Sequence, residues 1–428
     1  MTAGRGSSTA MALDAPLGFG LTGWLSRVRY LLGLWEAGVS MPSSYRHAGL
    51  PLLDGRHASR YTSRPVPGFE PTWIVLTRGC FITEERQAQA DAICGAYPQA
   101  EVIEERHTPH NRVDLGEGDP VAALRCGKRT LVLGEHRSAV RRSREQGNTC
   151  PNYWHFSPYG FCPYGCRYCY LAGTPGVRFS PTVKVFLNLP EILTEMDRVA
   201  AHLAEPTAFY LGKLQDGLAL DPLTGYSRTL VPFFAAHPYA RMTVLTKSAT
   251  IENLLNLDHR GHTILSWSLN PAEVIAAFEG GTPPLAKRIE AMKRCTEAGY
   301  PVRAVIMPII PVPGWKGAYA KFLEGLLAEV PLDRITLGGI CSYRAACSLM
   351  ESQLGRANAV SDAFDPLGPS PDGRLRYAEP LRLALYRHMI GIIDARAPDL
   401  DIGLCLEEET VFQALGLAGA IGRCNCVL

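Results

Sequence analysis

The chain has 428 residues, 46% hydrophobic and 20% charged, proportions of an ordinary globular protein with room for two or three domains or one large barrel with additions. Its 43 basic and 41 acidic residues leave a net charge of +2, which excludes a global nucleic-acid-binding signature and leaves only local patches. No apolar run approaches the roughly 20 residues that span a bilayer, and Met1–Ala15 holds no long apolar run behind a basic start. With no secretory signal, 13 cysteines predict a reducing cytoplasm, where clustered thiols mean metal or redox chemistry more often than disulfides.

Residues 1–70 read as an accessory region with a disordered start. Trp24, Leu25, Val28, Leu31, Leu32 and Trp35 recur there at helical spacing. Such a stripe docks on the protein body, on a membrane surface or on a partner. Residues 71–150 read as a small α/β domain. "TWIVLT", "AEVIEE" and "RTLVLG" are strand-like, and "TEERQAQADAICGAY" is helix-like with Thr83 as its N-cap. "RHTPHNR", with His107, His110 and Arg112, reads as a polar surface loop or part of a site. "EHRSAVRRSREQG", with Arg137, Arg141, Arg142 and Arg144, reads as a solvated helix face, with phosphate contact as the second reading.

From 151 to 330 strand and helix signals alternate, which predicts βα units and a parallel sheet or barrel. The strands are "TVKVFLN", "TAFYLG", "RMTVLT", "TILSWSLN" and "VRAVIMPII"; the helices are "PEILTEMDRVAAHLA", "TIENLLNLD" and "PLAKRIEAMKRCTEAG". In such barrels chemistry sits at the carboxyl ends of the strands. Residues 331–428 complete the barrel with strands "RITLGGI" and "DIGLCLE", a Gly/Pro-rich loop, the helix "PLRLALYRHMIGIIDARA" and a Cys-x-Cys tail.

The chemistry concentrates in "FCPYGCRYCYLAG", where Cys162, Cys166 and Cys169 follow a Cys-x3-Cys-x2-Cys spacing. Zinc would require a fourth ligand, for which Cys150 or His155 is available. A closed iron–sulfur cluster would require four cysteines. A [4Fe–4S] cluster on three cysteines leaves one iron open to the amino and carboxylate groups of S-adenosylmethionine (SAM). Reductive cleavage then yields a 5′-deoxyadenosyl radical. Tyr168, between the second and third cysteines, is the aromatic that radical-SAM loops carry near the adenine. Structural cysteines remain the bland alternative.

"RYCYLAG", "VKVFLNLPEIL", "DGLALDPLTG", "VLTKSATIENLLNLDHRGHT" and the run from "SWSLNPAEVIAAFEGGTPPL" to "VIMPIIPVPGWKGAY", with "HTPHN" and "TLVLG" upstream, resemble the spore photoproduct lyase family of radical-SAM DNA-repair enzymes. The resemblance runs from about Pro71 to Leu323. It implies an α/β fold: a partial (β/α)6-type radical-SAM barrel with a small N-terminal α/β domain and a C-terminal extension. It implies that Cys162, Cys166 and Cys169 ligate the cluster, that Lys247 contacts the SAM carboxylate, and that Ser268 and Asn270 bond its ribose or methionyl group. Tyr168 and Tyr170 would lie beside the cluster, in catalysis or in packing. A flavodoxin or ferredoxin would donate electrons, and the substrate would be a modified base or nucleotide, free or in DNA.

One position departs from the pattern. The lyases carry a hydrogen-donating cysteine after the second barrel strand. Here "YLGKLQDGLALD" places Lys213 at that cysteine and Gln215 at a nearby serine. An ammonium cannot donate a hydrogen atom as a thiol can, so another thiol acts or the reaction requires none. Cys424 and Cys426 in "GRCNCVL" are the leading replacements, with Cys341, Cys347 and Cys405 in the same region. The tail would reach the barrel mouth as donor or redox pair, join Cys405 or Cys347 around a second metal, or be inert. Two further readings stay open: the same radical chemistry on another small molecule or peptide, and a metal-bearing nucleic-acid-binding module that does not turn over SAM.

Overall fold

The computed structural model describes residues 61–428, so the helix expected around Trp24–Trp35 lies outside the described residues. In chain order the strands are β1 (Trp73–Thr77), β2 (Glu101–Glu105), β3 (Thr130–Gly134), β4 (Val140–Arg142), β5 (Trp154–Phe156), β6 (Tyr159–Gly160), β7 (Gly165–Cys166), β8 (Val183–Phe186), β9 (Thr207–Leu211), β10 (Ala240–Thr246), β11 (Thr263–Ser268), β12 (Glu279–Gly280), β13 (Val302–Ile306), β14 (Arg334–Leu337), β15 (Cys341–Ser342), β16 (Leu375–Arg376) and β17 (Asp401–Leu404).

The main sheet has the order β17-β14-β13-β11-β10-β9-β5-β4. From β5 to β17 each strand pairs in parallel with the next one added along the chain. Helical crossovers such as Leu285–Glu297 and Trp315–Glu329 cover it, as right-handed βα units do. The sheet is an open arc, with β4 antiparallel on one edge and β17 on the other. Alternation along each strand sorts the side chains. Phe209, Leu211, Met242, Val244, Leu265, Trp267, Ala304 and Ile306 enter the main apolar core.

The opposite face meets the chain's own C-terminus. Ser266 Oγ donates to Asn425 Oδ1 at 2.6 Å, Arg303 to the Val427 carbonyl at 2.6 Å, and Arg334 to the Cys424 carbonyl at 3.0 Å. Tyr210 and Leu245 pack against Cys424 and Cys426. Gly403 has to be glycine, because a Cβ there would lie 2.4 Å from the Arg423 carbonyl oxygen. One short peptide thus touches β9, β10, β11, β13, β14 and β17, so the arc curls around it.

The second sheet has the order β2-β1-β3-β8-β6. This corrects one expectation. "TVKVFLN" is not a barrel strand; β8 pairs in parallel with β3, Leu131 opposite Val183. All four β8 residues are buried, and a buried parallel strand reads the same whichever sheet it joins. The smaller sheet therefore draws on residues beyond the expected boundary at 150. Two helix expectations also fail. "EHRSAVRRSREQG" supplies β4, where pairing with β5 overrides the local helical tendency. "TIENLLNLD" forms turns, with Asn256 at φ 65°, incompatible with a continuing helix.

The helix Leu189–Leu203 follows its sequence signal closely. Pro190 sits in the first turn, Leu189, Ile192, Leu193, Met196 and Ala200 are buried on one stripe, and Ala204 closes it in the left-handed region. Thr83 caps Glu84–Gly95 as expected, accepting from the Arg86 N–H at 3.3 Å. Among the described residues no helix is long and apolar enough to cross a membrane.

Candidate active site

The cysteine loop leaves β6 and is pinned at several points. Lys128 donates to the Cys162 carbonyl at 2.5 Å and the Tyr164 carbonyl at 2.7 Å. β7 pairs antiparallel with β12, which sets Cys166 directly opposite Glu279. Gly173 ends the loop against Ala346, where a Cβ would come within 2.5 Å of the Ala346 nitrogen. All three thiols are half-buried. Burial pushes the Cys162 thiol up, with Lys128 opposing and Cys169 adding to it. Burial also pushes Cys166 well up; Lys247 opposes, while Glu279, Cys162 and Cys169 add. Among the described residues no three His, Cys, Asp or Glu side chains converge as ligands of a single ion. In a [4Fe–4S] cube each thiolate takes its own iron, so three thiols on one loop can hold the cluster without converging on a single ion.

Beside the loop, Lys247 follows β10 and Ser268 ends β11, both at carboxyl ends. Lys247 Nζ donates to Ser268 Oγ and lies 3.6 Å from Glu279 Oε1. Tyr168 donates its hydroxyl to the same Glu279 oxygen, and its ring lies 5.8 Å from Lys247 Nζ. Arg288 binds the other Glu279 oxygen at 2.6 Å, both side chains wholly buried. Burial pushes the Glu279 carboxyl up, but Lys247, Arg288 and Tyr168 outweigh it and hold the group below the usual range. Asp216 fixes the lysine from behind, accepting from the Lys247 N–H at 2.7 Å and from Thr246 Oγ1 at 2.6 Å. Asn270 is fully buried, its Nδ2 on the Pro308 carbonyl and its Oδ1 accepting from Tyr319. Its two ends are thus already engaged by the protein.

A third group lies around Lys213, just past β9. Its ammonium donates to Ser143 Oγ at 2.9 Å and Glu145 Oε1 at 3.0 Å, and lies 5.1 Å from the Tyr153 ring. Glu145 also binds Arg374 at 2.6 Å, and Arg374 binds Asp372 at 3.0 Å. Tyr170 donates to the Lys213 carbonyl at 2.8 Å. Gln215 is buried, with Nε2 on the Phe156 carbonyl and Oε1 without a partner; His155 Nδ1 and Ser157 Oγ nearby are buried and unpartnered too. Orphaned polar atoms at a barrel mouth fit a polar ligand.

Cys424 and Cys426 are 5% and 8% exposed and share a cluster with Tyr153 and Tyr210, so the tail does fold back into the arc. The S–H of Cys426 bonds Cys424 and, with Arg334 and Arg303, lowers it to about 7 against its burial; Cys426 itself is pushed well up. Cys405 and Cys150 interact electrostatically with the pair. Cys347 instead bonds Ser342.

Of the residues expected from the sequence, the structure brings Tyr168, Lys247 and Ser268 into one group and Tyr170 and Lys213 into another, while Asn270 is engaged by Pro308 and Tyr319. The sequence reading missed Glu279, Asp216 and Lys128. Glu279 sits in "FEGGTP" with no spacing that marks it, and only the β7–β12 bridge brings it to the cysteines.

The family described as spore photoproduct lyase matches residues 85–337. The spore photoproduct lyase of Bacillus subtilis (strain 168) is 32% identical over 229 residues, 53% of this chain and 65% of that protein. That of Geobacillus sp. (strain Y412MC61) is 30% identical over 226 residues, 52% of this chain and 64% of that protein. The aligned segment thus spans just under two thirds of these relatives. A solved spore photoproduct lyase complexed with dinucleoside spore photoproduct superposes with a TM-score of 0.68 at 22% identity, covering 79% of this chain and 100% of that one. A mutant form with bound AdoMet and the same dinucleoside gives 0.66 at 22% identity, covering 78% and 98%. With more than half its length, the cysteine loop included, inside the family's match, the chain belongs to the spore photoproduct lyase family.

Proposed function

We propose that this protein is a radical-SAM enzyme acting on a thymine photoproduct or another modified base or nucleotide, free or in DNA. The observation that carries the reading is the Tyr168–Glu279–Lys247–Ser268 array set directly against the three-cysteine loop at the strand ends. Cys162, Cys166 and Cys169 would hold the [4Fe–4S] cluster, and Lys247 with Ser268 would hold the carboxylate end of SAM. Once bound, these groups supply a 5′-deoxyadenosyl radical by reductive cleavage of SAM. Glu279 pairs with the Lys247 ammonium and orients the Tyr168 ring. Asp216 fixes the lysine backbone.

Lys213 stands where the family's donor cysteine would, locked to Glu145, and Cys424 and Cys426, which share a cluster with Tyr153 and Tyr210, take over hydrogen donation. A substrate radical would take the weakly held hydrogen of a thiol and leave sulfur as the new radical centre. The replacement at Lys213 also favours a second reading, in which the same chemistry acts on a lesion or small molecule other than spore photoproduct. A base within a duplex would be flipped out to reach the mouth, with Arg137, Arg142 and Arg144 available for backbone phosphates. A flavodoxin or ferredoxin would supply the electron, and the reaction would take place in the cytoplasm.

The test is anaerobic incubation of the reconstituted protein with SAM, reductant and spore-photoproduct dinucleotide. Conversion to a dinucleotide with both thymine bases restored supports the repair reading. SAM cleavage with the dinucleotide left intact moves the protein to the second reading.

A further inference from the structure

The cysteine loop faces a cavity separate from the Lys247 array. It has a volume of about 320 Å³ and is lined by Cys166 and Cys169 together with Arg125, Lys128, Arg129 and Arg167. None of its lining residues belongs to a strand of the main sheet, and none is acidic. Val121 and Leu124 on the helix Pro120–Gly127 and Leu349 on Arg344–Leu354 form apolar walls. Lys128 is directed inward, onto the loop carbonyls and the Phe161 ring at 3.5 Å. Arg125, Arg129 and Arg167 are exposed, and their guanidinium groups have no ion-pair partner among the described residues.

We propose that this cavity and its arginine rim are the docking surface for a small acidic one-electron carrier protein. The proposal rests on the radical-SAM reading, which requires an electron to enter from outside. Two of the three cluster cysteines, Cys166 and Cys169, line the cavity, and neither Lys247 nor Ser268 does. Its rim is uniformly cationic, so it complements an acidic partner. Electron-transfer encounters are small, under about 1,200 Å², and are steered by charge. Apolar walls around a cationic rim suit a prosthetic-group edge inside an acidic collar; a phosphodiester would gain nothing from apolar walls or from reaching the thiols. One electron passes from the reduced carrier to the cluster, and no covalent bond or proton moves.

The test uses the full reconstituted chain, flavodoxin as the probe, and the pair Arg125→Glu with Arg129→Glu. Binding is read by biolayer interferometry at low and high salt. The proposal expects flavodoxin affinity to fall about tenfold or more at low salt, flavodoxin-driven 5′-deoxyadenosine formation to fall with it, and dithionite-driven formation to stay level. The Arg125→Lys, Arg129→Lys pair should bind like the parent. Unchanged flavodoxin affinity overturns the proposal, as does loss of affinity for a thymine oligonucleotide with flavodoxin binding intact. The binding readout holds whether or not SAM is cleaved, so failure of the docking surface and failure of the enzymatic reading are separate results.

Discussion

The Lys213 ammonium lies 3.0 Å from Glu145 Oε1, and this pair ties the end of β9 to the segment after β4. Burial pushes Glu145 up, but its bonds to Arg374 and Lys213 hold it below the usual carboxylate range. A depressed carboxyl contributes stability that is present above its unfolded pKa and lost as pH falls through the folded one. Lys213→Met removes one of the two cations. It should cost about 1–3 kcal/mol at neutral pH, and the Glu145-linked acid loss should be smaller and complete at higher pH than in the parent. Thermal unfolding followed from neutral to acid pH checks both. An unchanged acid limb would show that Arg374 alone sets Glu145.

Glu279 and Arg288 are both wholly inaccessible. Removing the carboxylate leaves a buried guanidinium uncompensated, so Glu279→Ala should destabilise by about 3–5 kcal/mol in denaturant unfolding. Glu279→Gln keeps hydrogen bonds but no charge. It should fold and weaken SAM binding, because Lys247 and Tyr168 lose their shared anchor. Equal SAM affinity in Glu279→Gln and parent, measured by calorimetry, would remove Glu279 from the site.

The Cys424–Cys426 pair carries exchangeable hydrogens against Tyr210. In deuterated solvent the product should gain deuterium through these thiols. In Cys424→Ala with Cys426→Ala that incorporation should disappear and products trapped at the radical stage should rise, detected by mass spectrometry. The main-chain anchors from Arg303 and Arg334 remain in the variant, so the melting temperature should change little. Undiminished deuterium incorporation would dismiss the tail as donor.

Lys184 offers a pH test remote from the chemistry. It is buried, and among the described residues its acceptors are the Ser180 and Thr182 carbonyls at 2.7 and 3.0 Å. Burial lowers it from 10.5 to about 7. Above that pH the folded lysine is neutral while the unfolded one is still protonated, so stability rises with pH until the unfolded lysine titrates. Relative to Lys184→Met, the parent should gain about 1.4 kcal/mol per pH unit between roughly pH 7 and 8.5. Parallel stability curves would show that Lys184 stays charged in the fold.

Much of this was legible in the sequence. The strand runs from "TAFYLG" to "DIGLCLE" pair in the expected order because each is a buried βα unit whose neighbour along the chain is its neighbour in space. The cysteine spacing was readable on its own; Lys247 and Ser268 came with the family resemblance, at the ends of recognisable strands. β8 was misplaced because burial on both faces erases the alternation that would distinguish one sheet from another. Glu279 was invisible because its role comes from a two-residue bridge to Cys166, a contact between positions 113 residues apart (279 − 166). The tail could be suspected from its thiols, but its polar seat on Ser266, Arg303 and Arg334 is legible only once six strands curl around it.

The most direct test of the central claim is anaerobic reconstitution with iron and sulfide, followed by reduction in the presence of SAM. The account predicts a [4Fe–4S] absorbance and paramagnetic signal that SAM perturbs, 5′-deoxyadenosine as product, and loss of both in the variant with Cys162, Cys166 and Cys169 replaced by alanine. A reconstituted parent with no four-iron signal, or with a signal and no 5′-deoxyadenosine, would contradict it.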